Sequence, residues 1–260
     1  MMGVMSRTLV DYDHFLGLAA RAAWDERKLD LAADARAWPG LEPGRRARVS
    51  TFVAGFLLAE HRVAADLAPF VAAAPSAALA ACFRAQARDE ERHARAFDRF
   101  AAEVLRAEGR TPGERRAALR GRLTPAFTAL FEERLAAVAR ALDGGRLALS
   151  EAVAVYHLLL EGVVFGAAQE ALMADLRSAG DLPGLEAILG RVLRDERWHV
   201  GLGVRVLSEP AARLGEPPDP RRAVEAWGDL LTPQERADAV RRHSRRLAAA
   251  GLAIPDSAPS

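Results

Sequence analysis

The hydrophobic positions of the chain recur with helical spacing, and the alternation typical of half-buried strands is almost absent. Ala, Leu, Arg and Glu, which favour helices, dominate the segments between clusters of Pro and Gly. This pattern predicts helices at about 8–36, 45–72, 76–108, 124–142, 147–178 and 182–208. The sequence Thr232-Pro233-Gln234-Glu235 has the pattern of a capping box and predicts one further helix after the Pro-rich stretch 210–220.

Helices of this length are typical of a bundle whose helices run roughly 40–50 Å. We therefore predict an all-α protein in which residues 1–208 form one helical bundle. Residues 209–250 are expected to form a C-terminal helical extension, and residues 251–260 a disordered tail.

One short motif occurs twice. Asp89-Glu90-Glu91-Arg92-His93 lies in the third predicted helix and Asp195-Glu196-Arg197-Trp198-His199 in the sixth, so that each reads D-E-x-x-H. Residues three apart share a helix face, which allows a Glu and a His to bind one metal ion together.

Each motif is preceded by a helix with a Glu on an apolar face. Glu60 shares its face with Phe56 and Val63, and Glu161 lies beside Leu158 and Phe165. A buried carboxylate is costly unless it is paired or bound to a metal. Four carboxylates and two imidazoles together predict a site for two metal ions, and oxygen and imidazole ligands suit iron and manganese. A pair of buried ion-pair networks is the structural alternative.

The order E…E-x-x-H…E…E-x-x-H, over about residues 20–205, resembles ferritins, rubrerythrins, bacterial hydroxylases and the small subunit of ribonucleotide reductase. This resemblance implies a ferritin-like four-helix bundle with additional N- and C-terminal helices. Val63 lies three residues after Glu60, and Tyr156 lies five before Glu161. These offsets are similar to those of the ligand-binding oxidases related to the reductase small subunit.

The resemblance to these oxidases implies a cofactor of two metal ions, Mn/Fe or Fe/Fe. The implied manganese ligands are Glu60, Glu90 and His93, and the implied iron ligands are Glu161, Glu196 and His199, with Glu90 bridging. It also implies reaction with dioxygen, a bound hydrophobic ligand such as a fatty acid, and an ether cross-link between Tyr156 and Val63. On an ideal α-helix, however, Tyr156 would lie about 140° from Glu161.

Other readings stay open. A reductase small subunit would carry a radical tyrosine where this chain has Phe97, although Trp24 and Asp195 could begin an electron relay. A di-iron hydroxylase or N-oxygenase of an external substrate could use His157 as an extra ligand. A non-enzymatic metal-binding helical protein is the alternative from another class.

The composition of the chain bears on the partners and the cellular location that we expect for this protein. The net charge of +1 favours neither nucleic acid nor an anionic membrane, and one cysteine excludes an intrachain disulfide. We find no apolar run of the roughly 18 residues that a membrane span needs. We expect a cytoplasmic protein, which the single cysteine fits. We also expect a homodimer that uses an external electron donor. A packed apolar cage beside the metals is expected from Phe56, Val63, Phe97, Val164 and Phe165, with Phe165 narrowing any ligand cavity.

Overall fold

The computed structural model describes residues 9–209, 212 and 219–249, and every regular element in these ranges is helical. The α-helices are α1 (Tyr12–Ala22), α2 (Ala32–Ala37), α3 (Pro43–Asp66), α4 (Ala68–Ala73), α5 (Ala77–Glu103), α6 (Pro112–Arg120), α7 (Pro125–Thr128), α8 (Leu135–Asp143), α9 (Leu149–Val153), α10 (Gly166–Ala179), α11 (Pro183–Leu207), α12 (Pro220–Val224) and α13 (Pro233–Ala249). Short 3-10 helices lie at Glu26–Lys28, Trp38–Gly40 and Glu225–Leu230.

Two of the longer helices contain π-helical turns. A π turn at Ala129–Arg134 joins α7 to α8. A longer π segment, Ala154–Phe165, joins α9 to α10 and makes one continuous helix, Leu149–Ala179. In a π-helix the backbone bonds connect residues five apart, so such residues lie close to one another along the helix axis. This geometry changes which side chains of the segment share a face.

The bundle consists of two helical hairpins. α3 packs along α5, Leu149–Ala179 packs along α11, and contacts between α5 and α11 join the pairs. α1 lies across α5 and α11, outside the four long helices. Gly180, with a φ of +65°, ends Leu149–Ala179 in the left-handed conformation and lets the chain turn into α11. The predicted all-α, ferritin-like bundle is confirmed.

Several predicted helix bounds were wrong, each for a local reason. The predicted helix 8–36 is interrupted, because the side chains of Asp25 and Asp30 accept hydrogen bonds from backbone N–H groups two residues ahead. The predicted helix 45–72 divides into α3 and α4 just before Pro69, which cannot supply a backbone N–H. The break predicted around Pro112 instead opens α6, where Thr111 and Glu114 form a capping box.

The helix Leu149–Ala179 forms the centre of the protein. Its most apolar 18-residue window has a mean hydropathy of 1.4, so by length and composition it could span a membrane. The expectation that no segment would reach that length was therefore wrong. However, 89% of the window is buried inside the protein. The helix is apolar because other helices cover it on all sides.

Residues 219–249, which we call the C-terminal cover, pack over the π segment. Three of their side chains donate to its backbone carbonyls: Trp227 to Val164 at 2.8 Å, His243 to Leu158 at 3.2 Å, and Arg246 to Gly162. The predicted capping box opens α13, with Thr232 and Glu235 exchanging hydrogen bonds. The predicted disordered tail, 251–260, lies outside the described residues.

Candidate metal centre

The six residues predicted as metal ligands lie together in the middle of the bundle. Each is at most 5% exposed. All four long helices contribute: α3 carries Glu60, α5 carries Glu90 and His93, the π segment carries Glu161, and α11 carries Glu196 and His199. The structure therefore brings together side chains that lie up to 139 positions apart, the separation of residues 60 and 199 (199 − 60 = 139).

The ligand atoms form two groups that share Glu90. The groups are Glu60, Glu90, His93 and Glu196, and Glu90, Glu161 and His199; within each, all ligand atoms lie within 4.8 Å of one another. Glu90 Oε2 lies 3.4 Å from His93 Nδ1, and Glu90 Oε1 lies 3.2 Å from His199 Nδ1. Glu90 thus presents one oxygen to each group, which is the geometry of a bridging carboxylate.

Glu196 also lies between the two groups. Its Oε1 is 3.8 Å from His93 Nδ1, and its Oε2 is 3.5 Å from His199 Nδ1. The resemblance assigned Glu196 to the half-site of His199, yet its carboxylate faces both imidazoles. The position of this side chain therefore allows it to serve either ion.

The aspartate of each D-E-x-x-H motif contacts the histidine of the other motif. Asp195 Oδ2 lies 3.1 Å from His93 Nε2, and Asp89 Oδ2 lies 3.4 Å from His199 Nε2. A carboxylate at this position accepts a hydrogen bond from Nε2–H and thereby keeps the proton on Nε2, which fixes the tautomer of the ring. The Nδ1 lone pair of each imidazole then points into the carboxylate cluster, where a metal ion would bind.

Two indoles and one guanidinium hold these aspartates in place. Trp24 Nε1 donates to Asp195 at 2.7 Å, and Trp198 Nε1 donates to Asp89 at 3.2 Å. Arg92 lies between the two aspartates and donates to both. Arg92 therefore neutralises the outer aspartates, and the inner glutamates are left without a permanent cation.

Several carboxylate oxygens of the cluster have no hydrogen-bond donor among the described residues, although they are fully buried: Glu60 Oε1, Glu161 Oε2, and both Oε1 and Oε2 of Glu196. A buried charge without a partner is strongly unfavourable. A metal ion satisfies such oxygens directly, and the donor set of carboxylates and imidazoles suits iron and manganese. The residues present therefore fit a di-metal cofactor.

The pKa shifts of the glutamates in the cluster also fit a site that binds metal cations. Burial raises the pKa of Glu60, Glu161 and Glu196, and neighbouring carboxylates add to the rise. Burial also opposes the charge of Glu90, but His199 and His93 outweigh it and hold the pKa of Glu90 well below its usual range. The cluster retains protons wherever no cation replaces them, so metal binding should release protons.

The π segment places Tyr156 at the edge of the cluster. Its hydroxyl lies 3.5 Å from Glu90 Oε1, and its ring is fully buried. The 140° separation from Glu161 expected for an α-helix does not apply, because five residues make about one turn of a π-helix. Val63 is also fully buried, three residues beyond Glu60 on α3.

Gln86 is a buried neighbour of the cluster that the sequence analysis missed. Its amide Nε2 donates to Glu161 Oε1 at 2.7 Å, and its Oε1 lies 2.9 Å from His157 Nε2. His157 therefore contacts Gln86 and not the carboxylates, and burial lowers the pKa of His157 to about 3, which keeps the ring neutral. The spacing Gln86 to Glu90, one helical turn, is the only signal that could have identified Gln86.

One side of the cluster is closed by aromatic rings. The ring of Phe56 stacks on Phe97 at 5.1 Å and lies 6.1 Å from Phe165, which packs on Phe131 at 5.2 Å. All four rings are fully buried, as are Val63 and Val164 of the predicted apolar cage. Phe97, where a radical tyrosine would stand, has no hydroxyl and is part of this packing.

The other side opens into a cavity of about 620 Å³ between Leu149–Ala179 and α11. Glu161 and Glu196 line it at the end facing the metal cluster. Arg197 and Arg246 line it as well, together with apolar side chains such as Met173. Phe165 does not line it, so Phe165 does not narrow this cavity as the sequence suggested.

The bundle and its buried ligand set define a di-metal carboxylate protein of the ferritin-like class. A family model described as "Ribonucleotide reductase, small chain" matches residues 14–216, about three quarters of the chain. The chain therefore belongs to the ribonucleotide reductase small-chain family. This membership confirms the prediction of a di-metal oxidoreductase.

Solved structures share the fold at low sequence identity. The R2-like ligand-binding oxidase from Sulfolobus acidocaldarius is 22% identical, with a TM-score of 0.77 over 97% of this chain and 96% of that chain. A mutant R2-like ligand-binding oxidase with an anaerobically reconstituted Mn/Fe cofactor is 20% identical, with a TM-score of 0.74 over 94% and 96%. A third, with an aerobically reconstituted Mn/Fe cofactor, is 20% identical, with a TM-score of 0.67 over 94% and 88%.

Proposed function

We propose that this protein is a dioxygen-activating di-metal oxidase that oxidises an organic ligand held next to its metals. The observation that carries the proposal is the pair of buried ligand groups joined by Glu90. A cofactor of Mn/Fe or Fe/Fe is supported by the donor set and by the Mn/Fe cofactors of the similar oxidases. When bound and reduced, such a metal pair supplies electrons to dioxygen.

The residues of the chain position and shield this chemistry. Asp89 and Asp195 fix the imidazole rings, so that both Nδ1 atoms face the carboxylate cluster that would hold the metals. The packed rings around Phe56 and Phe165 exclude water from one side of the site. The cavity that Glu161 and Glu196 line gives a ligand access to the metal site.

The proposal is tested by loading the protein with Fe(II), with and without Mn(II), under argon and then admitting dioxygen. We expect about two metals per chain by elemental analysis and uptake of dioxygen by the loaded protein. Glu90→Ala should lose both properties, because Glu90 faces both groups. The control is Glu91→Ala, the exposed neighbour of Glu90. One zinc or no metal in the wild-type protein would contradict the proposal.

The finer prediction concerns Tyr156 and Val63. We propose that the phenol of Tyr156 loses its O–H hydrogen and Val63 loses one C–H hydrogen, with an oxygen–carbon bond joining the two side chains. Dioxygen accepts the two electrons and two protons. The proposal is supported by the burial of both residues and by the 3.5 Å from the Tyr156 hydroxyl to Glu90 Oε1.

Peptide mapping after metal loading and exposure to air tests the cross-link. We expect a linked pair of peptides, lighter than their sum by two hydrogen atoms, and no link in Tyr156→Phe. This variant should still bind two metals, because Tyr156 is not a ligand in this proposal. Unlinked peptides after complete metal oxidation would favour the alternative of a hydroxylase or N-oxygenase, for which the cavity beside Glu161 and Glu196 provides room.

Trp24 lies between the protein surface and His93, one of the proposed metal ligands. This partly exposed indole donates to Asp195, which contacts His93, so a hydrogen-bonded chain leads from the surface to a metal ligand. We therefore propose that electrons enter through Trp24. Trp24→Phe should slow reduction of the metals by an external dye and leave metal content unchanged; Trp38→Phe, on a partly exposed indole elsewhere, is the control.

A further inference from the structure

The backbone changes its hydrogen-bond pattern directly after the proposed metal ligand Glu161. The N–H of Gly166 donates to the carbonyl of Glu161, five residues back, and also to the carbonyl of Val163. In α10, which follows, the bonds span four residues, so the N–H of Ala167 pairs with Val163. The change from π-helical to α-helical bonds therefore passes over the carbonyl of Gly162.

The C-terminal cover supplies the donor that the helix does not give to Gly162. Gly162 is buried, and a buried carbonyl without a hydrogen bond is strongly unfavourable. The guanidinium of Arg246, on α13, donates to this carbonyl. Within the described ranges Arg246 forms no ion pair with a carboxylate, so its charge strengthens the bond to the carbonyl.

The residue type at position 162 is an independent observation that fits this contact. A Cβ atom on Gly162 would lie 2.7 Å from Nη1 of Arg246 and 3.2 Å from the carbonyl oxygen of His157. The first distance is too short for van der Waals contact, so a side chain here would displace the guanidinium. Glycine lowers the stability of a helix interior relative to alanine. The close approach of Arg246 gives a reason for glycine at this position.

Resting on the proposed function, we propose that Arg246 is a positioning residue for the metal centre, which holds the end of the π-helical bonding at Glu161. Without its guanidinium, the N–H of Gly166 can pair with Gly162 in the α-helical manner. The carbonyl that is passed over then becomes that of Glu161. The backbone of Glu161 rotates with this change, and its carboxylate leaves the half-site of His199.

The test compares the Fe(II) affinity of the two half-sites under argon, by competitive titration with a chelator. In a Glu60→Ala background, which keeps the half-site of His199, Arg246→Met should weaken binding about 10-fold or more. In a Glu161→Ala background, which keeps the half-site of His93, the same substitution should leave the affinity unchanged. Arg246→Lys retains a donor and should recover most of the affinity. Equal losses at both half-sites would indicate a general loosening of the bundle and would overturn the proposal.

Arg242→Met is the matched control for Arg246→Met. Arg242 lies one turn earlier on α13, is also partly buried, and pairs with the carboxylate of Glu170 at 2.7 Å. Its substitution should change neither half-site. Gly162→Ala should reproduce the loss seen in Arg246→Met, and the double variant should bind no more weakly than either single variant. Additive losses would contradict the proposal, since the two residues would then act separately.

A crystal structure of metal-free Arg246→Met separates this inference from the proposed function. We expect the Gly166 N–H to bond to Gly162, and Glu161 Oε1 to lie beyond hydrogen-bond distance of Gln86, which donates to it at 2.7 Å in the wild type. Gly162→Ala should show the same change, and alanine favours the helix, so this variant should fold. An unchanged π segment in these variants would overturn the proposal. Failure of the proposed oxidase would appear instead in the wild-type protein, as absent metal or absent dioxygen uptake.

Discussion

The two D-E-x-x-H motifs have similar sequences and different surroundings. Asp89, Glu90 and His93 are buried, and one turn before Glu90 the amide of Gln86 donates to Glu161. Residues 195–199 border the cavity, and the residue one turn before Glu196 is the apolar Val192. Repetition of a ligand motif thus supplies two similar pairs of ligands, while the surroundings of the two motifs differ: a polar amide lies one turn before Glu90, and the cavity lies beside Glu196.

Removing carboxylates from the two half-sites should produce the largest difference between them. Glu196 faces both imidazoles, whereas Glu60 belongs to one group only. We expect Glu196→Ala to retain less than one metal per chain, and Glu60→Ala to retain about one. Elemental analysis after metal loading decides this. Retention of one metal by Glu196→Ala would show that Glu196 serves a single ion.

The crossed contacts between the motifs are tested by a pair of conservative substitutions. In a Glu161→Ala background, which leaves the half-site of His93, Asp195→Asn should weaken metal binding about 10–100-fold. Asp89→Asn should have little effect there, because Asp89 contacts His199. Competitive titration with a chelator measures both. An effect of Asp89→Asn as large as that of Asp195→Asn would mean that the aspartates act within their own motifs.

The smallest effect that we expect is on the thermal stability of the metal-free protein. Glu60 is fully buried near other carboxylates, and burial raises its pKa. Glu60→Gln removes the cost of burying this carboxyl, whether it is ionised or must take up a proton on folding, so the metal-free protein should gain about 1 kcal/mol, or a few degrees in Tm. The metal-loaded protein should lose stability instead. Glu91→Gln, on the exposed side of α5, should change neither melting temperature, which is measured by scanning calorimetry.

Much of the fold follows from the sequence, because long segments of helix-forming residues between Pro and Gly predict the starts of the four main helices to within two residues, although α3 ends six residues and α5 five residues before the predicted ends. The remaining errors in the helix bounds arise where side chains form hydrogen bonds with nearby backbone groups. The side chains of Asp25 and Asp30 interrupt the first predicted helix, and nothing in the hydrophobic pattern marks this. Thr111 followed by Pro112 was read as a break although it begins a helix.

The site could be predicted as a set of residues but not as a geometry. Residue spacing identified the carboxylates and imidazoles, which the structure places together. Spacing could not show that Asp89 contacts the histidine of the other motif, since this depends on how α5 packs against α11. It also could not show the π segment, because a side-chain pattern read with α-helical periodicity puts Tyr156 on the wrong face.

The apolar composition of Leu149–Ala179 has a consequence for synthesis on the ribosome. The helices that bury it, α11 and the C-terminal cover, follow it in the sequence and end at Ala249. The intervening 70 residues (249 − 179 = 70) take roughly 4–14 s to translate. During that interval the nascent chain exposes a hydrophobic helix without its partners. Rapid overproduction should therefore favour aggregation, and slower translation or a chaperone that shields this helix should raise the soluble yield.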